Sequence, residues 1–404
     1  MAILFLIVFV DLVGFGLIIP LLPFYGEHFH ATPATVGLLM AVYSFAQFVA
    51  APMWGRLSDR MGRKPVLAIT LAGATLSYLW LAFAHELWML FAARALGGFM
   101  AGNIGTAFAY VADVTTPANR AKGMGMVGAA FGLGFIFGPA IGGVLAGHDP
   151  ANADYTSPAL VAAALSAIAM VLTLALLRES LGKEIREAHA ALPRSSRWRL
   201  LADALRQPGV GRLLLLAFLS TFVFAGMETT FAMWSRRQFG WGPEQNGWLF
   251  AFIGLISAGV QGGLVGRLAH RFGEARLVTS GSVLLALGML MIPMAMDPVM
   301  LWPVMLVVAL GFALLTPSLN SMVSLAVGAG VQGATMGVSR SVTTLARVVG
   351  PGFAGLLFEF LGKDWPFIAG ALIMVGVVII AFGAASSRPA AGTSEPAAPQ
   401  PSRR

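Results

Sequence analysis

Apolar windows of about 20 residues, separated by short polar breaks, run through the whole chain of 404 residues. That length is what an α-helix needs to cross the hydrocarbon core of a bilayer. Twelve windows are present, and their approximate bounds are 2–25, 34–57, 65–84, 88–113, 121–147, 156–178, 209–238, 244–268, 275–296, 299–326, 332–360 and 364–385. Each is far longer than the roughly ten alternating residues of a barrel strand. The sequence therefore predicts an all-α membrane protein with twelve transmembrane helices, which we number as spans 1 to 12.

The composition excludes a soluble protein. Charged residues make up 11% of the chain and hydrophobic residues 57%, whereas about 25% of an ordinary soluble domain is charged. Cysteine is absent, which rules out disulfides and thiolate metal sites. The chain has no Walker loop, nucleotide fingerprint or nucleophile elbow, so we expect no enzymatic activity, no cofactor and no metal.

The basic residues predict the orientation of the spans. Twenty of the 26 Lys and Arg residues lie on one side of the predicted membrane, three lie on the other side (Arg236, Arg237 and Lys363), and three lie within spans. Cytoplasmic loops carry an excess of Lys and Arg, so both termini are expected in the cytoplasm. The net charge of +8 is explained by these loops, and no nucleic-acid partner is expected.

The two halves of the chain resemble each other. Residues 55–62 match residues 266–273 with five identities in eight, and Gly138-Pro139 of span 5 matches Gly350-Pro351 of span 11. Two matches in nearly the same register indicate a duplicated six-helix unit, a plan that recurs in secondary transporters. The predicted domains are an N-terminal bundle (1–178), a charged cytoplasmic linker (179–208), a C-terminal bundle (209–386) and a disordered cytoplasmic tail (387–404).

Four segments carry a resemblance to a known family. They are the basic loop Gly55-Arg56-Leu57-Ser58-Asp59-Arg60-Met61-Gly62-Arg63-Lys64-Pro65, the span 4 segment 90–98 with Arg94 followed by two glycines, the Gly-Pro segment 128–143 of span 5, and the span 1 segment 11–23. With these segments, nearly the whole chain resembles the major facilitator superfamily and, within it, the twelve-helix drug/proton antiporters such as the tetracycline efflux proteins. The resemblance implies two pseudo-symmetric six-helix bundles, the major facilitator fold.

The resemblance also implies that the basic loop (55–65) and the Gly-Pro segment of span 5 act in the change between conformations. The acid at Asp59 is expected to cap helix 11, and Arg63 is expected to bridge to Asp113. Glycines spaced by four let helices approach closely, and Pro139 permits a bend. The residues expected to act in gating are Gly55, Asp59, Arg60, Gly62, Arg63, Asp113, Gly138 and Pro139.

Acidic and basic side chains inside the spans are candidates for proton coupling. Asp11 lies nine residues past Ala2, about 13 Å along a helix and near the middle of a roughly 30 Å core. Desolvation there favours a neutral acid, so such a group can exchange a proton. Glu228 is the second acid, with Arg347 as its expected partner, and Arg94 is a candidate partner of Asp11.

Other polar and aromatic residues within the spans are candidates to line a substrate cavity. They are Phe15, Tyr43, Gln47, Tyr78, Asn103, Met227, Phe231, Gln261 and Asn320. Ser77 stands where the tetracycline efflux proteins carry an acid in helix 3, so the resemblance does not imply tetracycline as the substrate.

The function implied by the resemblance is proton-coupled export of small amphipathic molecules or drugs across the inner membrane by alternating access. The expected partners are a small-molecule substrate, protons and membrane lipid, and a monomer is expected. Two alternatives remain open. One is a proton-coupled or facilitative transporter of a sugar or other metabolite, and the other is a receptor or scaffold that transports nothing.

Overall fold

The structure is a computed structural model that describes residues 1–182, 209–327 and 332–386. Twelve helices in these ranges are long and apolar enough to cross a membrane: Ala2–His28, Pro33–Met61, Arg63–Ala82, Leu87–Val114, Lys122–Ala146, Thr156–Leu176, Val210–Phe239, Pro243–Phe272, Glu274–Met291, Pro298–Leu325, Gln332–Phe360 and Trp365–Phe382. The predicted all-α fold with twelve spans is confirmed. Residues 183–208 of the predicted linker and the predicted tail, 387–404, lie outside the described residues.

The span ends agree with the sequence prediction to within a few residues, and the largest difference has a local cause. Span 9 ends at Met291 instead of 296. Pro293 follows, and proline has no N–H to continue the helical ladder. The chain turns there before Pro298 begins span 10.

In the described ranges, three spans are interrupted within their length, and span 10 begins with a 3-10 turn at Pro298–Met300. A 3-10 turn at Ile19–Leu21, which contains Pro20, interrupts span 1. Span 4 consists of two helices, Leu87–Met100 and Asn103–Val114. Span 8 contains a π-helical turn at Val260–Leu264. Broken helices free backbone groups inside the membrane, which is tolerated where protein or a water-filled cavity satisfies them.

The two halves of the chain contact each other chiefly through two pairs of helices. Span 5 packs between span 1 of its own half and span 8 of the other, and span 11 packs between spans 7 and 2 in the same manner. The pairs 5/8 and 2/11 therefore correspond under the internal repeat. The repeated loop also has a common backbone feature, because Gly62 and Gly273 both end a helix with positive φ, at 107° and 82°.

The halves touch at one face of the membrane and separate toward the other. We name the side of the Gly62 loop the basic face, and the side of the turn between spans 1 and 2 the opposite face. Toward the opposite face, a Cβ on Gly247 would lie 2.4 Å from the carbonyl oxygen of Pro139, and one on Gly37 equally close to that of Pro351. Nearer the basic face, a Cβ would have no neighbouring atom within 4 Å at any of four glycines: Gly55, Gly128, Gly262 and Gly337. The gap between the halves therefore opens to the basic face.

Candidate functional site

A cavity of about 680 Å³ occupies this gap. It is lined by spans 1, 2, 4 and 5 of the first half and by spans 7 and 11 of the second. Sites for small molecules typically have volumes of about 300–1,000 Å³ and lie at domain interfaces. Its position and size are those of a site for a small molecule, and we call it the central cavity.

Four charged side chains line the central cavity: Arg94, Glu228, Arg340 and Arg347. Arg347 Nη1 lies 3.2 Å from Glu228 Oε2, so the predicted contact between these two residues is present. Glu228 comes from span 7 and Arg347 from span 11, which pack together within the second half. The lining therefore holds three cationic groups and one acid, and the acid is already paired.

Asp11 lies in a separate small cavity, of about 20 Å³, which is lined also by Tyr78, Arg94 and Asn103. Its carboxylate is buried and accepts hydrogen bonds from the Asn103 amide and, at 3.1 Å, from the Ser166 hydroxyl. Sequence reasoning missed Ser166, because a serine in an apolar span carries no signal of its partner.

Arg94 does not form the expected ion pair with Asp11 in the described part of the chain. Its guanidinium carbon instead lies 4.2 Å from the centroid of the Tyr43 ring, and its buried Nε has no hydrogen-bond partner. Arg94 lines both cavities, so it lies between Asp11 and the central cavity. The pair considered from the sequence, Asp11 with Arg94, is absent in this conformation, and the Asp11 carboxylate accepts hydrogen bonds from Asn103 and Ser166.

The break in span 4 places Asn103 beside Asp11. Trp54 of span 2 packs against the break, where a Cβ on Gly102 would lie 2.5–2.7 Å from the indole atoms. The Trp54 indole N–H donates to the carbonyl of Phe99, a group near the end of the first helical segment. The side chain of Trp54 therefore satisfies one of the backbone carbonyls near the break, and the helix restarts at Asn103.

The structure places the predicted cavity residues in different surroundings. Phe15, Tyr43 and Gln47 line the central cavity, and Tyr78 and Asn103 line the small one. The prediction is wrong for Met227, Phe231, Gln261 and Asn320, which lie outside the linings of both cavities in the described ranges.

Helix rotation explains these corrections. Ala225, Glu228 and Thr229 form the cavity face of span 7, whereas Met227 and Phe231 point into the core of the second half and are almost fully buried. Met227, the residue before Glu228, is turned about 100° away from the cavity face. Phe231 lies one turn beyond Glu228 toward the opposite face and packs in the core there. Gln261, in the π-helical turn of span 8, and Asn320, on span 10, are exposed outside the cavity.

A charge network at the basic face contains three of the predicted gating residues. Arg63 Nη1 lies 2.6 Å from Asp59 Oδ1, and Arg63 Nε lies 2.9 Å from Asp113 Oδ2. The Arg63 side chain also donates to the hydroxyl of Ser58, while Arg60 is exposed. The network joins spans 2, 3 and 4 within the first half and is formed while the central cavity is open to this face. These contacts alone therefore do not close the cavity.

Glu179 is a member of this region that the sequence did not reveal. Its carboxylate accepts hydrogen bonds from the backbone N–H groups of Arg63, at 2.8 Å, and Lys64, at 3.1 Å. It thus caps the start of span 3. Gly62 precedes this site with φ of 107°, and a Cβ there would lie 2.3 Å from a Glu179 oxygen. Glycine is required at position 62 both for its backbone conformation and for this close approach.

Removing this cap is expected to destabilise the protein. A cap satisfies free N–H groups and complements the helix dipole, so Glu179→Ala should lower the free energy of unfolding by about 1 kcal/mol. Thermal unfolding of the purified protein in detergent measures this. Glu86→Ala is a matched control, because Glu86 precedes span 4 but makes no cap hydrogen bond to it. Equal midpoints for Glu179→Ala and the unmodified protein would contradict the expectation.

Ion pairs join the halves at the opposite face. In span 1, Glu27 Oε2 lies 2.9 Å from Arg236 Nη1, and Glu27 Oε1 lies 3.6 Å from Arg237 Nη2. Both arginines are at the end of span 7. At the sequence level, these two arginines entered only the count of basic residues that predicts the orientation of the spans. Because the pairs cross from one half to the other, they stabilise the closure of the opposite face in this conformation.

The Gly-Pro segment of span 5 has two packing faces. A Cβ on Gly138 would lie 2.6 Å from the Cα of Gly16 in span 1, which belongs to the same half. The opposite side, at Gly143 and the carbonyl of Pro139, contacts Gly247 of span 8 in the other half. Gly138 therefore holds span 5 to span 1, and the contact between the halves is made by its neighbours.

Comparisons with known proteins agree with this architecture. The Major Facilitator Superfamily model matches residues 4–351. Tetracycline resistance protein, class E, of Escherichia coli is 32% identical, with 93% of each chain covered. Multidrug resistance protein 2 of Bacillus subtilis (strain 168) is 32% identical, with 92% of this chain and 91% of that protein covered.

A solved structure extends the comparison to three dimensions. The crystal structure of the human organic anion transporter MFSD10 (TETRAN) is similar with a TM-score of 0.70 and 27% identity, and covers 94% of this chain and 98% of its own. Twelve spans, two six-helix halves and a cavity between them lead to one assignment. The chain belongs to the major facilitator superfamily and is a multi-pass membrane transporter, not an enzyme.

Proposed function

We propose that this transporter exports small amphipathic molecules or drugs in exchange for protons by alternating access. The observation that carries the proposal is the central cavity, which extends from the pair Glu228–Arg347 to the basic face while the halves touch at the opposite face. Rocking of the halves at the pairs 2/11 and 5/8 presents such a cavity to either side in turn. Similar proteins named for resistance to tetracycline and to multiple drugs, and for organic anion transport, support export of a small molecule.

In the proposed orientation the basic face lies in the cytoplasm and the spans cross the inner membrane, with both termini inside. The excess of Lys and Arg in the loops of this face supports that orientation. The conformation described here then opens to the cytoplasm, which is the state in which an exporter loads its substrate. A single chain contains a complete cavity, so a monomer is the proposed unit.

Asp11 and Glu228 are the proposed proton carriers. Protonation of Glu228 removes the negative charge that attracts the guanidinium of Arg347, so the two helices that carry them are held together less strongly. Protonation of Asp11 removes the charge that accepts hydrogen bonds from Asn103 and Ser166. Each event changes the charge at the centre of the protein by one unit, so that the binding of a proton and the binding of substrate influence each other. Arg94 and Arg347 oppose this protonation by stabilising nearby negative charge.

Everted membrane vesicles test the proposal. With the vesicle interior made acidic, an exporter driven by protons accumulates substrate, and each of a panel of amphipathic compounds is scored together with its proton flux. Collapse of the gradient by an uncoupler is expected to abolish accumulation. Accumulation driven by the opposite gradient would identify a symporter, and counterflow without any effect of the gradient would identify a facilitator.

Glu228→Gln is expected to abolish gradient-driven accumulation or to shift its pH optimum, because the amide keeps the shape and does not titrate. The initial rate of accumulation in everted vesicles between pH 6 and pH 8 measures both effects. Glu86→Gln, an exposed acid outside the cavity, serves as the control. An unchanged rate and an unchanged pH profile for Glu228→Gln would assign the protons to other groups.

A further inference from the structure

The walls of the central cavity differ in chemistry between the two halves. The first half contributes aromatic rings from spans 1, 4 and 5, among them Phe15, Phe108, Phe131 and Phe135. The facing wall is span 11, which contributes hydroxyl and guanidinium groups from Arg340 to Arg347, over about two turns. A molecule that fills the cavity therefore meets an apolar aromatic surface on one side and a cationic surface on the other.

Arg340 is the cation of this wall that lacks an acidic partner. Its guanidinium faces the cavity, and within the described residues it forms no ion pair. Its carbon Cζ lies 4.5 Å from the centroid of the Phe108 ring of the other half. By contrast, Arg347 is paired with Glu228, and Arg94 is buried against Tyr43.

The charge of the lining disfavours a cationic substrate. The one acid in the lining, Glu228, is occupied by Arg347, so a bound cation would face Arg340 without a counter-charge. A bound anion would instead face Arg340 as its counter-charge. A planar guanidinium binds carboxylates and related groups through two parallel hydrogen bonds. Hydroxyl groups of Ser341 and Thr344, one residue and one turn along span 11, line the same wall.

We propose that Arg340 binds the anionic group of an amphipathic organic anion whose aromatic or apolar body lies against the phenylalanine wall of the first half. Such a ligand supplies the missing counter-charge and covers both walls together. Its contact with Phe108 and Arg340 adds to the contact that these two residues already make between the halves. The inference rests on the central cavity being the substrate site, and it specifies the charge of the substrate.

Three fluorescent probes that differ chiefly in charge test the inference at pH 7.5. Dansylglycine carries a carboxylate, its amide is neutral, and dansylcadaverine carries an ammonium group. Binding of each probe to the purified full-length protein in detergent is followed by the rise in dansyl emission. We expect the unmodified protein to bind dansylglycine at least about tenfold more tightly than either of the other two, since a charge-assisted hydrogen bond is lost in both.

Variants assign the preference to Arg340. Arg340→Met keeps most of the apolar stem of the side chain without its charge, and we expect it to weaken binding of dansylglycine by about tenfold or more while changing binding of the amide less than about twofold. Arg340→Lys should fall between, because the charge remains and the planar fork is lost. Arg267→Met is the matched control, since Arg267 is an exposed arginine of span 8 outside the cavity lining.

Several results would overturn the inference. They are equal binding of the three probes, absence of saturable binding, an Arg340→Met protein that binds dansylglycine normally or loses all three probes equally, and an equal loss in Arg267→Met. The assay needs no proton gradient, so its outcome is separate from that of the vesicle experiment. Anion binding at Arg340 without gradient-driven export would reject the proposed exchange and leave this inference standing.

Discussion

Replacing Asp11 with asparagine is expected to abolish export against a concentration gradient while leaving substrate binding intact. Asparagine has the shape of aspartate and its side-chain oxygen still accepts the hydrogen bond from Ser166, but it does not take up a proton. A carboxylate in the middle of an apolar span has no structural need for its charge, since desolvation disfavours it. The expected result in everted vesicles is accumulation no higher than in vesicles without the transporter.

Counterflow distinguishes loss of coupling from loss of function in this variant. Exchange of labelled for unlabelled substrate needs no net proton movement, so Asp11→Asn should retain it. Asp297→Asn, at an exposed acid that caps the short turn at the start of span 10, should behave as the unmodified protein in both assays. Normal uphill accumulation with an unchanged pH profile in Asp11→Asn would exclude Asp11 as a proton carrier.

Replacing Gly247 with leucine is expected to stop transport by opening the opposite face. Even a Cβ at this position would lie 2.4 Å from the carbonyl oxygen of Pro139 and 2.9 Å from the Cα of Gly143. Both are backbone atoms of span 5, so spans 5 and 8 must separate to admit the larger side chain. Overpacking typically costs about 1–3 kcal/mol, which shifts a two-state equilibrium about 5- to 150-fold.

The absence of native cysteine allows this shift to be measured directly. Thr229, which lines the central cavity, is replaced with a single cysteine, and a membrane-impermeant maleimide is added on the opposite face. Labelling should rise severalfold in Gly247→Leu. Gly128→Leu is the control, because open space surrounds that position on span 5. Equal labelling in the two variants, or normal export by Gly247→Leu, would contradict the expectation.

The contact between the halves includes two glycines, Gly37 and Gly247, that the sequence analysis did not single out. Gly37 and Gly247 occupy equivalent places, against the carbonyls of Pro351 and Pro139, and these two prolines were themselves found as a repeated pair. The register of the repeat thus related the two contacts. It did not show that span 2 meets span 11 and span 8 meets span 5, because a repeat relates each half to the other without saying which surfaces touch.

The sequence by itself determined the number of spans, the all-α fold, the duplicated halves and the family. These follow from hydrophobic length, charge and local motifs, all of which are properties of contiguous residues and depend little on the rest of the molecule. The contact of Glu228 with Arg347 was also foreseen, because each is an ionised group in an apolar span and the family resemblance implies that spans 7 and 11 are neighbours.

Only the tertiary structure decided which faces of the spans meet the central cavity and which face opens. A rotation of one residue turns a helical side chain by about 100°, so Glu228 lines the cavity while Met227 lies in the core. The hydrogen bonds to Asp11, the cap by Glu179 and the stacking of Arg340 on Phe108 each join residues that are far apart in the chain. Their distances depend on how twelve helices pack together, and no local pattern in the sequence specifies that packing.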